Sequence, residues 1–185
     1  MPERFDITET PLSGLTLVGR KQRRDDRGYL ERLYDAEDLG ELVGRIMQIN
    51  RTLTHTSGAV RGMHFQLPPY AERKLVCCLR GSVFDVAIDV RRGSPTFLHW
   101  YASILNAENG QCLLIPEGFA HGFQTLTENC EMLYFHTKTY QPAYERGVHP
   151  EDPRVGITWP RSVIGLSSRD AAHPLLSDAF EGIET

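Results

Sequence analysis

Two histidines stand at spacings that a folded chain can use for chemistry. Gly110 to His121 reads G-x5-P-x-G-x2-H, a strand-like run ending in a Pro-Gly turn that delivers His121 to the mouth of a barrel. Gly58 to His64 reads G-x5-H. Imidazole titrates near neutral pH, so histidines held there suit proton transfer. As metal ligands they are a poor set. Phe65 and Gln66 follow His64, the next carboxylate is Glu72, and a divalent ion usually needs at least three protein ligands. No metal and no other cofactor is predicted. The competing reading of two histidines alone is a satisfied pair inside a core. Lys74 opens one strand-like run and Tyr134 sits within another; by themselves they read as an edge lysine and a core tyrosine.

The elements that position these residues are short strands. Leu15 to Val18, Ile46 to Leu53, Val60 to Gln66, Lys74 to Leu79, Ser82 to Val90, Thr96 to Leu105, Gln111 to Ile115 and Cys130 to Thr137 all have strand character. Turn residues separate many of them, among them Arg80-Gly81, Asn109-Gly110 and Glu128-Asn129. One early helix is predicted over Asp35 to Leu42, with Asp35 as its N-cap, and a second short one in the tail after Asp170. Many short strands with few helices predict an all-β fold, a closed barrel or a sandwich. In Cys130 to Thr137, alternation puts Cys130, Met132, Tyr134 and His136 on one face. In Ser82 to Val90, Phe84, Val86, Ile88 and Val90 oppose Asp85, Ala87 and Asp89. The aspartate face fits either a barrel interior or a solvated outer surface. Arg61 falls opposite His64 and Gln66 on strict alternation, unless Gly62 marks a bulge.

At 185 residues, 41% of them hydrophobic and 24% charged, the chain fits a single globular domain over 1–185. A net charge of −4 gives no basic surface for nucleic acid. The start, MPERFDITET, lacks the layout of a signal peptide, and no apolar run has membrane-spanning length. The four cysteines form no C-x-x-C pair and read as reduced thiols of a cytoplasmic protein, with Cys77 and Cys78 on opposite faces of a strand.

A longer pattern gives these residues a context. Gln48 to Gln66 reads Q-I-N-R-T-L-T-H-T-S-G-A-V-R-G-M-H-F-Q, followed by Ala71 to Val76, Phe84 to Arg91, Gly93 to Phe97, Ile115 to Phe123, Glu131 to Tyr134, Ile157 to Pro160 and Ser168 to Ala172. In content and order this resembles the family of thymidine-diphosphate-4-keto-rhamnose 3,5-epimerases over nearly the whole chain. The resemblance implies a cupin jelly roll, usually a homodimer with exchanged strands. It also implies a nucleotide-diphosphate sugar as substrate, and inversion at C3, at C5 or at both of a 4-keto-6-deoxy sugar. It assigns His64 as proton acceptor, Asp170 as the carboxylate that orients it, Tyr134 as proton donor from the opposite face and Lys74 as the cation at the ketone oxygen. It places Gln48, Asn50, Arg61, His121, Glu145, Arg169 and Arg27 against nucleotide or sugar, Arg27 from the neighbouring subunit. The alternatives are a metal-dependent cupin oxygenase or isomerase, and a binding protein without turnover.

The segment Asp25-Asp-Arg-Gly-Tyr-Leu-Glu-Arg32 departs from the family, with Leu30 in place of an aromatic and Arg32 in place of a Glu that faces the base. Glu31 is one residue early, and a one-residue offset reverses the face of a strand. An arginine only donates, which suits the acceptor edge of cytosine better than the N3–H of thymine. The other reading turns Arg32 toward solvent or toward Glu31.

Overall fold

Alternation along the strands divides the apolar residues into three layers, and these layers determine where a cavity can form. In the computed structural model, which describes residues 4–185, the strands are β1 (Phe5–Glu9), β2 (Thr16–Arg20), β3 (Arg23–Asp25), β4 (Gly28–Leu30), β5 (Gln48–Thr54), β6 (Val60–Gln66), β7 (Lys74–Arg80), β8 (Ser82–Asp89), β9 (Trp100–Asn106), β10 (Gln111–Ile115), β11 (Phe119–Thr125), β12 (Cys130–His136) and β13 (Glu145–Gly147). Residues 1–3 of the N-terminal run lie outside the described part. A six-stranded sheet has the order β1-β2-β10-β7-β12-β5 and faces a five-stranded sheet ordered β13-β6-β11-β8-β9. The pairs within both sheets are antiparallel, and β3 and β4 form a separate hairpin. This is the expected all-β jelly-roll architecture.

Between the sheets lie Val76, Cys78, Val83, Ala87, Leu113, Phe123, Met132 and Tyr134, drawn from both of them. The outer face of the six-stranded sheet carries Val18, Leu75, Cys77, Cys112 and Phe135, covered by Leu39 and Val43 of helix α1 (Ala36–Val43). The outer face of the five-stranded sheet carries Met63, Phe65, Val86 and Ile88, covered by Val148, Val155 and the C-terminal segment. Cys77 and Cys78 thus occupy opposite faces, and all four cysteines are free and buried. The N-cap of α1 is Asp35, whose carboxylate accepts from the Glu37 N–H at 3.0 Å.

Several expectations change. The run from Thr96 becomes a strand only at Trp100. Before it, the Ser94 and Thr96 hydroxyls donate to Asp89 at 2.5 and 2.7 Å, and Leu98 turns the chain with φ +60°. Those side-chain bonds compete with a sheet ladder. The solvated reading of Asp85 and Asp89 is overturned, since both are fully buried. The tail helix α2 (Ser168–Ala171) begins before Asp170, capped by Ser167, whose hydroxyl accepts from the Asp170 N–H at 3.0 Å. Strands β1, β11 and β13 were not expected from the pattern, and the segment from Asp25 to Arg32, treated there as one strand, instead holds the turn and second strand of the β3–β4 hairpin, with Glu31 and Arg32 beyond its end.

Candidate active site

A cavity of about 750 Å³ opens between the two sheets. One wall is β5, the outermost strand of its sheet. Gln48, Asn50, Thr52 and Thr54 face the cavity, while the intervening Ile49 and Leu53 are exposed on the other side. The opposite wall is β6, and there the backbone departs from regular pairing. His121 pairs with His64, but Phe123 pairs with Arg61, so Gly62 and Met63 together stand opposite Gly122. This is a β-bulge, and it lets both Arg61 and His64 line the cavity. Only glycine fits at the crossing. Gly62 has φ +126°, and a Cβ on it would lie 2.5 Å from the Gly122 Cα.

His64 Nε2 lies 2.7 Å from Asp170 Oδ1, and the second carboxylate oxygen accepts from the Gly62 N–H at 3.4 Å. Burial pushes the Asp170 carboxyl up, but the hydrogen bond and charge of His64, the Gly62 N–H and Ser167 outweigh it and bring it down to about 2. Asp170 is therefore a carboxylate. It binds the Nε2–H tautomer and leaves His64 Nδ1 without a protein partner among the described residues. Arg169 donates to Glu145 at 2.8 Å and sets its guanidinium 3.3 Å from His64 Nε2 and 3.5 Å from Asp170. His64, Asp170 and His173 offer nitrogen and oxygen atoms within 4.8 Å of one another, a spacing open to a metal ion. The Arg169 guanidinium already brings a positive charge against two of the three.

Lys74 is buried on β7. Its Nζ lies 3.0 Å from Glu72 and donates to the His64 carbonyl at 3.3 Å. Glu72 is held in turn by the Gln66 amide. Tyr134 projects from β12, on the sheet opposite to β6, between the rings of His121 at 6.2 Å and His136 at 6.0 Å. Burial raises its phenol well above the ordinary range, opposed first by the Thr52 hydroxyl, with the Asp85 charge adding to the rise and Arg61 opposing it. Tyr134 is thus a protonated donor. A second imidazole–carboxylate pair, His121 Nε2 with Asp85 at 2.9 Å, is buried, and of the two His121 lines the cavity. His136 is a neutral ring at ordinary pH, brought down to about 4 by burial and by the charge of Lys74. A base backed by a carboxylate, a fixed cation and a protonated acid on the opposite wall can take a proton from one face of a carbon and deliver another to the opposite face.

The family model for dTDP-4-dehydrorhamnose 3,5-epimerase matches residues 9–178. The chain belongs to the dTDP-4-dehydrorhamnose 3,5-epimerase family. A Salmonella typhimurium 3,5-epimerase of that name is 42% identical over 94% of this chain and 97% of its own length. A Streptomyces niveus relative, named a dTDP-4-dehydrorhamnose 3-epimerase, is 36% identical over 91% of this chain and 82% of its own. The crystal structure of a Legionella pneumophila 3,5-epimerase in complex with dTDP-4-keto-L-rhamnose superposes with TM-score 0.90 at 37% identity, over 98% of each chain. As a member of this epimerase family, the protein is an isomerase.

Ten residues expected from the resemblance to this epimerase family line the one cavity: Gln48, Asn50, Arg61, His64, Lys74, His121, Tyr134, Glu145, Arg169 and Asp170. Two do not. Arg27 lies at the turn of the β3–β4 hairpin, its side chain 90% exposed and 2.6 Å from Asp25. Arg32 pairs with the helix cap Asp35 at 2.7 Å, so it turns neither to the cavity of its own chain nor to Glu31, which is bound by Arg20 at 3.0 Å. The pattern did not assign Thr52, Glu72, Asp85, His136 or Tyr140 to the site. Face-sharing with Tyr134 was the available signal for His136, and the aspartate face of β8 for Asp85.

Proposed function

We propose that the cavity epimerises a nucleotide-diphosphate-linked 4-keto-6-deoxy sugar of the thymidine-diphosphate type, at C3, at C5 or at both. The observation that carries this reading is the placement of His64–Asp170 and Tyr134 on opposite sheets around one cavity that also holds Lys74. His64 Nδ1 takes the proton from the carbon next to the ketone. The electron pair of that C–H bond becomes the enolate, with its charge on the C4 oxygen beside the Lys74 ammonium. The cation stabilises this charge more in the transition state than in the ground state. Asp170 stabilises the imidazolium that forms. The Tyr134 hydroxyl then gives its proton to the opposite face of the carbon, which inverts the centre, and solvent restores both groups.

Gln48, Asn50, Arg61, His121, Glu145 and Arg169 hold the nucleotide and sugar in this reading. The assembly is a homodimer in which the neighbouring hairpin brings Arg27, an exposed side chain in the single chain, to the nucleotide. With Arg32 engaged by Asp35, the base is read by other groups and thymine is the base proposed. Four free buried thiols are in keeping with a cytoplasmic setting, and no helix among the described residues is long and apolar enough to cross a membrane. Incubation of dTDP-4-keto-6-deoxyglucose with the protein in heavy water, followed by mass spectrometry, tests the reaction. Incorporation of one or two deuterons with inverted product is expected, and their number gives the number of centres. A substrate recovered without deuterium would overturn the proposal.

A further inference from the structure

The amide side chains on the cavity face of β5 form a one-way series of hydrogen bonds whose direction fixes the state of His136. The series starts at a group of known polarity. The Tyr140 backbone N–H can only donate, and it donates to Gln48 Oε1 at 2.9 Å. Gln48 therefore turns its amide nitrogen the other way, where it donates to Asn50 Oδ1 at 3.2 Å. Asn50 in turn presents Nδ2, 3.4 Å from His136 Nε2. An amide nitrogen does not accept, so Nε2 is the acceptor and a neutral ring carries its proton on Nδ1. Among the described residues Nδ1 meets no partner, and it is not one of the closed-off polar atoms. His136 lines the cavity, stacks on the Tyr134 ring and stands in register beside Lys74. An N–H donor next to the cation is therefore presented to whatever the cavity holds.

We infer that His136 is a further catalytic residue, donating a hydrogen bond from Nδ1–H to the ketone oxygen of the bound sugar and working with Lys74 to hold the enolate. This rests on the epimerase reading above. The ring keeps its proton throughout; the hydrogen bond shortens as charge grows on the oxygen. A neutral imidazole suits the role because it does not share its proton with solvent over the working pH range. Burial and the Lys74 charge keep it neutral there. Removing one such donor costs on the order of 10² to 10³ in kcat, and with Lys74 still present the low end is expected.

The tautomer is read directly by nitrogen NMR of the ring-labelled protein, with the His136 signals identified by their loss in His136→Asn. Protonated Nδ1 and bare Nε2 at neutral pH are expected, and a ring protonated on Nε2 would overturn the inference. In kinetics, His136→Ala lowers kcat by about 10² with KM little changed, and it lowers solvent deuterium exchange by the same factor. His136→Asn, whose amide nitrogen can stand near the Nδ1 position, retains activity within roughly tenfold of wild type. A raised KM with unchanged kcat in His136→Ala would mean ordinary substrate binding and would also overturn it. Failure of the epimerase reading is a different result: wild-type protein that exchanges no deuterium into any 4-keto sugar nucleotide. That would remove the donor role while leaving the tautomer measurement valid.

Discussion

His64 and His136 face the same cavity, yet one is backed by a carboxylate and the other is packed beside a lysine. The first has a counter-charge for a proton it takes from substrate; the second stays neutral. Asp170→Asn should therefore leave the far-UV circular dichroism unchanged and lower kcat by roughly 10³-fold, because the imidazolium loses its counter-charge. A variant within a few-fold of wild type would dismiss the pair. Tyr134→Phe should exchange substrate protons for deuterium better than it inverts the centre, since the base survives and the opposite donor is gone; equal losses in both would dismiss that division. Exhaustive chelation should leave turnover unchanged, because side chains alone supply the base, the cation and the acid of the proposed reaction. Burial also has a pH signature. His136 falls from its ordinary 6.5 to about 4 on folding, so the unfolded chain takes up a proton that the native ring refuses. Stability then drops as pH falls from 6.5 toward 4, separately from the Asp170 contribution, which is lost as pH falls from 3.8 toward 2. Denaturant titrations of wild type and His136→Asn across the upper window should show a shallower decline in the variant. The strand runs placed His64, Lys74 and Tyr134, but only the family resemblance gave them roles, since alone Lys74 and Tyr134 read as an edge lysine and a core tyrosine. Asp85 was not, because alternation gives a strand two faces without saying which one looks inward.

At the scale of elements, the bulge in β6 is what places Arg61 and His64 on the same cavity, and it depends on two glycines facing each other. Gly62→Ala combines overpacking with a left-handed φ, and a loss of about 2 kcal/mol or more is expected in urea unfolding. Little change in stability there would show that the strands can separate without cost. Gly62 was readable as a break in alternation, but its partner Gly122 was not, because that contact is made only when β11 pairs with β6. Strand β11 itself escaped notice. Its sequence, F-A-H-G-F-Q-T, is wholly buried and mixes polar with apolar residues, so it shows no period of two. The helix α1 was legible at its first residue, because a capping carboxylate makes its bond locally. The late start of β9 was hidden, because the buried carboxylate that captures Ser94 and Thr96 comes from β8.

For the whole molecule, two sheets, three apolar layers and a polar cavity follow from strand periodicity, whereas the surroundings of the β3–β4 hairpin do not. The segment from Asp25 to Arg32 was read as a strand that meets the base through Arg32, but within one chain Arg32 is held by Asp35, while Arg27, expected at a neighbouring subunit's nucleotide, pairs with Asp25 at the hairpin turn. Calorimetry with nucleoside diphosphates should find thymidine diphosphate bound about tenfold or more tighter than cytidine diphosphate, with the ratio unchanged in Arg32→Ala. A ratio that collapses in the variant would return Arg32 to the base. The position of β5 has a consequence of its own. It is laddered to β12 alone, so every second amide along Gln48–Thr54 points away from its sheet. Those protons act as a clock for contact with anything that covers the rim. In amide hydrogen exchange the peptide spanning β5 should separate into a slow half and a fast half. In the homodimer proposed above, cover of this edge would slow the fast half on association and restore it on dilution, whereas rates independent of protein concentration would mean that the edge stays open.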